Sequence, residues 1–220
     1  MNDNQSPWHK IPTKPPFWLP CDEPYIRYFN LTAKDSVRIK ANAYPEPYFG
    51  NPEAPVVLLL LNPGGGEASV DALTPLDVQA SLRNQYTAGA SMTRHFHLSA
   101  ESVGAGQKWW TKVCRSLLTD VDRETLQSKI LSIEFSAYHS KSFGHSHLRL
   151  PSQRFSFNLV RHAIERKALV VCMRGERYWC SAVPELASYD KFRRLKNPRA
   201  ASVSPRNVGE YEELLAVLRA

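Results

Sequence analysis

"VVLLLLNPGGG", Val56–Gly66, decides how this chain is read. Six consecutive apolar residues, Val56 to Leu61, stop abruptly on an amide, a proline and three glycines. A short run that is apolar on both faces reads as a central strand of a covered parallel sheet. Its ending reads as a tight turn in which backbone can approach a ligand closely. Asn62 opens the turn and Pro63 restricts it. The amide either hydrogen-bonds a ligand or water, or caps the turn. Neither G-x-G-x-x-G nor G-x-x-x-x-G-K-[ST] follows the run, which argues against a nucleotide-phosphate loop.

Outward from that strand, "ALVVCM" (168–173) reads as a second buried strand, and "KILSIEFSAYHS" (129–140) as a strand running into a loop. Helices are predicted over 74–86, 107–118, 150–167 with Ser152 as N-cap, 176–188 with an interruption at Pro184, and 211–220. The segment 41–55 reads as a turn-rich connection. Strands alternating with helices predict an α/β fold: a three-layer α/β/α sandwich with a central, mostly parallel, four-stranded sheet. Ligands bind such sheets beyond the carboxyl ends of the strands. That rule puts Asn62, the segment after Ile133 and the segment after Met173 on one rim. Six prolines between Pro7 and Pro24 make residues 1–40 an irregular arm, packed on the body through Trp8, Phe17 and Trp18. The α/β domain is expected to span 41–220.

The composition is that of a soluble globular chain, 43% hydrophobic and 22% charged over 220 residues. No apolar run is long enough to cross a bilayer. The start, "MNDNQSPWHK", lacks the apolar centre of a signal peptide, so a cytoplasmic location and no membrane partner are expected. Cys21, Cys114, Cys172 and Cys180 form no Cys-x-x-Cys, which argues against a zinc ribbon and for free thiols. His145 and His147 lack a third ligand at a fixed spacing, so no metal and no cofactor are expected. The net charge is +7, and six of the cations, Lys191, Arg193, Arg194, Lys196, Arg199 and Arg206, crowd into sixteen residues without an acid. The run is either a solvated loop or an edge that contacts phosphates.

Four segments together resemble the uracil-DNA glycosylase superfamily: "LLLLNPGG", "ILSIEFSAYHS", "ALVVCMRGERYW" and "NPRAASVSPRN" (197–207). The Asn-Pro-Gly form is similar to the mismatch-specific and single-strand-selective branches. The resemblance implies hydrolysis of the N-glycosidic bond of a deaminated or modified base, extruded from DNA into a pocket, by a DNA repair hydrolase acting as a monomer. It implies that Asn62 orients the attacking water and that Asn197 hydrogen-bonds the base as charge develops. Pro63, Gly64, Glu134 and His139 would line the base pocket. Lys196, Arg199, Ser202, Ser204 and Arg206 would contact single- or double-stranded DNA. Gly64 stands where stricter uracil enzymes carry a Tyr, implying a roomier pocket. Glu134 stands in place of an Asn that reads uracil, and a carboxylate suits an amino-bearing base. Ala201 replaces a Leu that wedges into the duplex, and Arg199 replaces a Ser. Tyr86 and Phe49 are candidates for stacking or core. The four cysteines do not suit an iron–sulfur cluster. The same residues are open to a second reading, a protein of this fold that binds nucleic acid or a nucleobase without cleaving it.

Overall fold

The computed structural model describes residues 6–64, 76–87, 94–100, 102 and 104–220. Val56–Leu60 forms β2, and all five of its side chains are buried. An apolar run of this kind needs neighbours on both edges, and it has them. With β1 (Tyr48–Phe49), β3 (Ile130–Glu134), β4 (Leu169–Cys172) and β5 (Phe192–Arg194), the sheet order is β1-β3-β2-β4-β5. β2 and β4 run parallel, from Val56 opposite Leu169 to Leu59 opposite Cys172. β4 and β5 are also parallel, while β1 lies antiparallel on β3.

The fold is therefore α/β with a mixed, mostly parallel sheet, but the sheet has five strands rather than the four expected. The three inner strands are those located in the sequence, and the two edge strands are those it does not locate. β1 falls in the turn-rich connection and is two residues long, too short for any periodicity. It is closed by Gly50 at φ +104°, where a Cβ would sit 2.1 Å from the Ile130 carbonyl oxygen. β5 lies inside the basic run, with burial grading from Phe192 to exposed Arg194. Its strand character comes from the open edge of β4 and not from its own sequence.

The chain divides into two compact units: Met1–Pro47, Leu61–Ser91 and Glu134–Asn158 in the first, and Tyr48–Leu60, Met92–Ile133 and Leu159–Ala220 in the second. Eight α-helices occur among the described residues: α1 (Glu23–Thr32), α2 (Leu76–Thr87), α3 (Ala105–Val113), α4 (Leu117–Asp120), α5 (Arg123–Lys129), α6 (Gln153–Glu165), α7 (Glu176–Ala182) and α8 (Tyr211–Arg219).

In the second unit, Val56, Leu58, Leu60, Leu169 and Val171 of the sheet share a core with Trp110, Val113, Leu126, Leu214 and Leu218. The helix expected over 107–118 is two helices, broken between Val113 and Leu117. α5 was not anticipated. Its first turn is capped by Asp122, whose carboxylate accepts the Thr125 N–H at 2.8 Å and the Thr125 hydroxyl at 2.6 Å. The helix expected over 176–188 ends at Ala182 and resumes as a 3-10 turn over Pro184–Ser188, as Pro184 dictates.

In the first unit, Trp8, Phe17 and Trp18 are all buried. In α2, Leu82 and Tyr86 are buried, but Leu76 in the first turn is 76% exposed. Asp22, just before α1, is wholly buried. Its carboxylate accepts the Tyr138 hydroxyl at 2.7 Å and the Ser152 N–H at 3.0 Å. The Tyr138 oxygen in turn accepts the Leu19 N–H at 3.1 Å. His145 is buried beside Phe143 and Phe29, at ring separations of 4.6 and 6.0 Å. Neither of its ring nitrogens has a hydrogen-bond partner among the described residues.

All four cysteines are free thiols. Burial pushes Cys114 and Cys172 up to about 12, so both stay protonated and inert at neutral pH. Among the described residues, no helix is long and apolar enough to cross a membrane, and no group of three or more His, Cys, Asp or Glu is placed to hold a metal ion.

Candidate functional site

The second unit carries a cleft of about 610 Å³. That is within the range of ligand sites, roughly 300–1,000 Å³. One wall is the loop Arg199–Arg206. The other is the end of α3 with the turn after it, Trp109 to Ser116, and Arg174 beyond β4 completes the lining. The walls are joined where the Val203 N–H donates to the Val113 carbonyl at 2.9 Å, with both valines in the core. Five cations line the cleft: Lys112, Arg115, Arg174, Arg199 and Arg206. All five are exposed, and none has a carboxylate partner among the described residues. Arg174 alone is engaged, donating to the Pro198 carbonyl at 3.2 Å. A concave surface with cations of one sign concentrates anions.

The basic run of the sequence divides at this point. Arg193 pairs with Glu210 and Glu213, and Arg194 pairs with Glu176 at 2.6 Å. Lys191 reaches the Lys167 carbonyl. These three serve the sheet edge. Arg199, Ser202, Ser204 and Arg206, expected to contact DNA, all line the cleft. Lys196 is exposed but does not line it.

Asn207, not singled out from the sequence, shapes the loop. It is 5% exposed. Its Oδ1 accepts the Asn197 N–H at 2.7 Å, and its Nδ2 donates to the Ser202 carbonyl at 2.9 Å and the Asn197 carbonyl at 3.3 Å. One side chain therefore holds both ends of the turn that contains Ala201. Ala201 itself is buried, at φ +39°. A non-glycine residue there is strained by about 1–3 kcal/mol and persists only where its surroundings impose it. Asn207→Ala is expected to cost about 2 kcal/mol, because it leaves the part-buried Asn197 N–H and Ser202 carbonyl without their partner. Chemical denaturation checks this, and an unchanged unfolding midpoint would show that Asn207 does not hold the loop.

Asn197 is exposed, and its Oδ1 accepts the Arg199 N–H at 3.1 Å. That bond fixes the amide and leaves Nδ2 as an outward donor with no partner among the described residues.

Asn62 is fixed in the opposite sense, within the first unit. Its Nδ2 donates to the Ser140 hydroxyl oxygen at 3.0 Å and to the Pro63 carbonyl at 3.2 Å. The Ser140 hydroxyl proton is already donated to the Ser142 carbonyl, so its oxygen must accept from Asn62. The Asn62 Oδ1 is left as an acceptor with no partner among the described residues. Gly64 bridges Ser140 in parallel register, and a Cβ added to it would meet nothing within 4 Å. Its two glycine neighbours, Gly65 and Gly66, lie outside the described residues.

Glu134 is buried at the end of β3, with its N–H on the Pro47 carbonyl at 3.0 Å. His139 is half-buried. Its Nε2 donates to the Tyr44 carbonyl at 3.0 Å, and Glu46 lies 3.7 Å away. Ser140 thus joins Asn62 and Gly64 to the segment after β3. Tyr86 and Phe49 are core residues, at 2% and 3% exposure, and neither is a stacking surface.

Sequence reasoning missed Trp109, Lys112, Arg115, Arg174 and Asn207. Trp109 and Lys112 sit on α3 and Arg115 in the turn after it, in a segment read from the sequence as one helix with no motif on its polar side. No family model, curated protein or solved structure matches the chain.

Proposed function

We propose that this is a uracil-DNA glycosylase-like protein that grips DNA by its phosphates and hydrolyses the N-glycosidic bond of a deaminated or modified base. The observation that carries the reading is the carboxylate-free cationic cleft built around 197–207, the segment whose motif resembles the family's phosphate-contacting loop. On this reading the sheet is the middle of a three-layer α/β/α sandwich, and the protein acts as a monomer.

The two fixed amides suit the two halves of the reaction. As the bond from C1′ to the base nitrogen breaks, its electron pair moves onto the base and positive charge develops on the sugar. A water oxygen then bonds C1′, and its proton leaves for solvent or the departing base. The Asn62 Oδ1 accepts from that water and orients it. An amide takes no proton, so Asn62 acts through position and not as a base. The Asn197 Nδ2 donates to the base oxygen as negative charge gathers there. The open space at Gly64 admits bases larger than uracil.

A second reading, binding without cleavage, draws on Ala201. Buried and short, it supplies no wedge to hold a duplex open. One assay separates the two. Single- and double-stranded oligonucleotides carrying uracil, hypoxanthine or xanthine are incubated with the protein and scored for abasic sites. Excision is expected, with a loss of at least tenfold in Asn62→Ala. Excision that survives Asn62→Ala unchanged removes that residue's role. Salt-dependent binding with no abasic sites selects the binding reading.

A further inference from the structure

We infer that the cleft binds single-stranded DNA, with Lys112, Arg115, Arg199 and Arg206 on the phosphates and an unpaired base stacked on the indole of Trp109. The inference rests on the nucleic-acid reading of the cleft and not on hydrolysis.

Trp109 is the one aromatic residue among the described residues of the lining. It is half-buried, packed against the core and held edge-on by Trp110 with ring centroids 5.0 Å apart. An indole fixed in this way loses little freedom on stacking. Lys112 follows it by one helical turn, so ring and charge share a side of α3. Arg115 extends that line past the helix end, and Arg199 and Arg206 face it from the opposite wall. An aromatic platform between rows of cations is how single strands are held without sequence readout.

A duplex fits this geometry poorly. Its bases show no free face except at the ends, so Trp109 would find nothing to stack on. The loop offers no long apolar side chain to open a paired strand, because Ala201 and Val203 are buried. A free phosphate or mononucleotide shares part of the chemistry but fills only part of the cleft.

The test is an anisotropy titration of the full chain with labelled oligothymidylate of about twelve nucleotides, within known single-strand site sizes. Parallel arms use an undamaged hairpin duplex, thymidine monophosphate and inorganic phosphate. Oligothymidylate is expected to bind at least tenfold more tightly than any other arm and to quench tryptophan emission. Trp109→Ala should weaken binding about 5- to 150-fold, the range measured for one stacked base. Trp109→Phe keeps a ring in the core, so it should stay folded and retain most of the affinity while losing the quench. Arg199→Gln with Arg206→Gln should lower the slope of log affinity on log salt by about 1.4. Equal or tighter duplex binding, mononucleotide binding as tight as the oligomer, a quench that survives Trp109→Phe, or a folded Trp109→Ala protein with unchanged affinity would each overturn the inference. Excision from duplex with no preference for single strands would overturn it and leave the hydrolytic reading standing.

Discussion

Asp22→Ala is expected to destabilise the protein by about 4 kcal/mol, because removing one partner of a buried charged hydrogen-bond set strands the rest. The carboxylate is wholly buried and receives the Tyr138 hydroxyl and the Ser152 N–H. Without it, the Tyr138 proton and the N–H just before α6 have no acceptor. In a chain of this size the loss corresponds to roughly 10 °C in Tm. Asp22→Asn should cost less, since its oxygen still accepts from Ser152 and its amide can donate to the Tyr138 oxygen.

The pH dependence gives a second check on Asp22. Burial is the largest influence on the carboxyl and raises its pKa, against the hydrogen bonds from Ser152 and Tyr138 that lower it. A carboxyl with a raised folded-state pKa contributes most below its ordinary range, and the contribution is lost as pH rises through the raised value. Asp22→Asn should abolish that slope. If both variants unfold within about 1 kcal/mol of the parent, Asp22 is not the anchor described here.

The second large effect is on acid stability. His145 is buried with no partner for either ring nitrogen among the described residues, and desolvation, helped by His147, lowers its pKa to about 4. The unfolded chain takes up a proton near pH 6.5 and the folded chain only near 4. The contribution of neutral His145 is therefore complete above 6.5 and is lost as pH falls towards 4. Over that window the loss is on the order of 3 kcal/mol. His145→Phe keeps a ring between Phe29 and Phe143 and removes the proton. Relative to the parent, the variant should gain stability steadily between pH 6.5 and 4 in denaturation measured at each pH. His95, also buried and also lowered, adds a loss of the same sign in the other unit. It cancels in the difference between variant and parent. A difference that is flat across the window would exclude His145 as the source.

The sequence revealed most where a segment's own pattern decided its structure. Val56–Leu60 and Leu169–Cys172 are strands because nothing but a two-sided core accepts such runs. β1 and β5 were illegible because two or three residues become a strand only when an open edge stands beside them. The candidate site divides in the same way. Arg199, Ser202, Ser204 and Arg206 lay together in a single loop and were readable. Lys112 and Arg115 reach the cleft only through the Val203–Val113 hydrogen bond, which no local pattern announces. The charges of Arg193 and Arg194 were read as available, yet Glu176 at the start of α7, and Glu210 and Glu213 at the start of α8, pair with them in space. The two amides show a further limit. Asn62 and Asn197 were visible as residues, but which end of each amide is free depends on Ser140 and on the Arg199 N–H.

The sheet register has a consequence for how the chain is made. Val56 pairs with Leu169, more than a hundred positions downstream, and Val170 then pairs with Phe192. As the chain leaves the ribosome, β2 emerges more than a hundred residues ahead of its parallel partner β4, and β5 follows later still. Closing so long a loop before any pairing rewards it slows folding and prolongs exposure of a sticky edge. Newly made protein, rather than the finished fold, is the state in which Val56–Leu60 needs shelter.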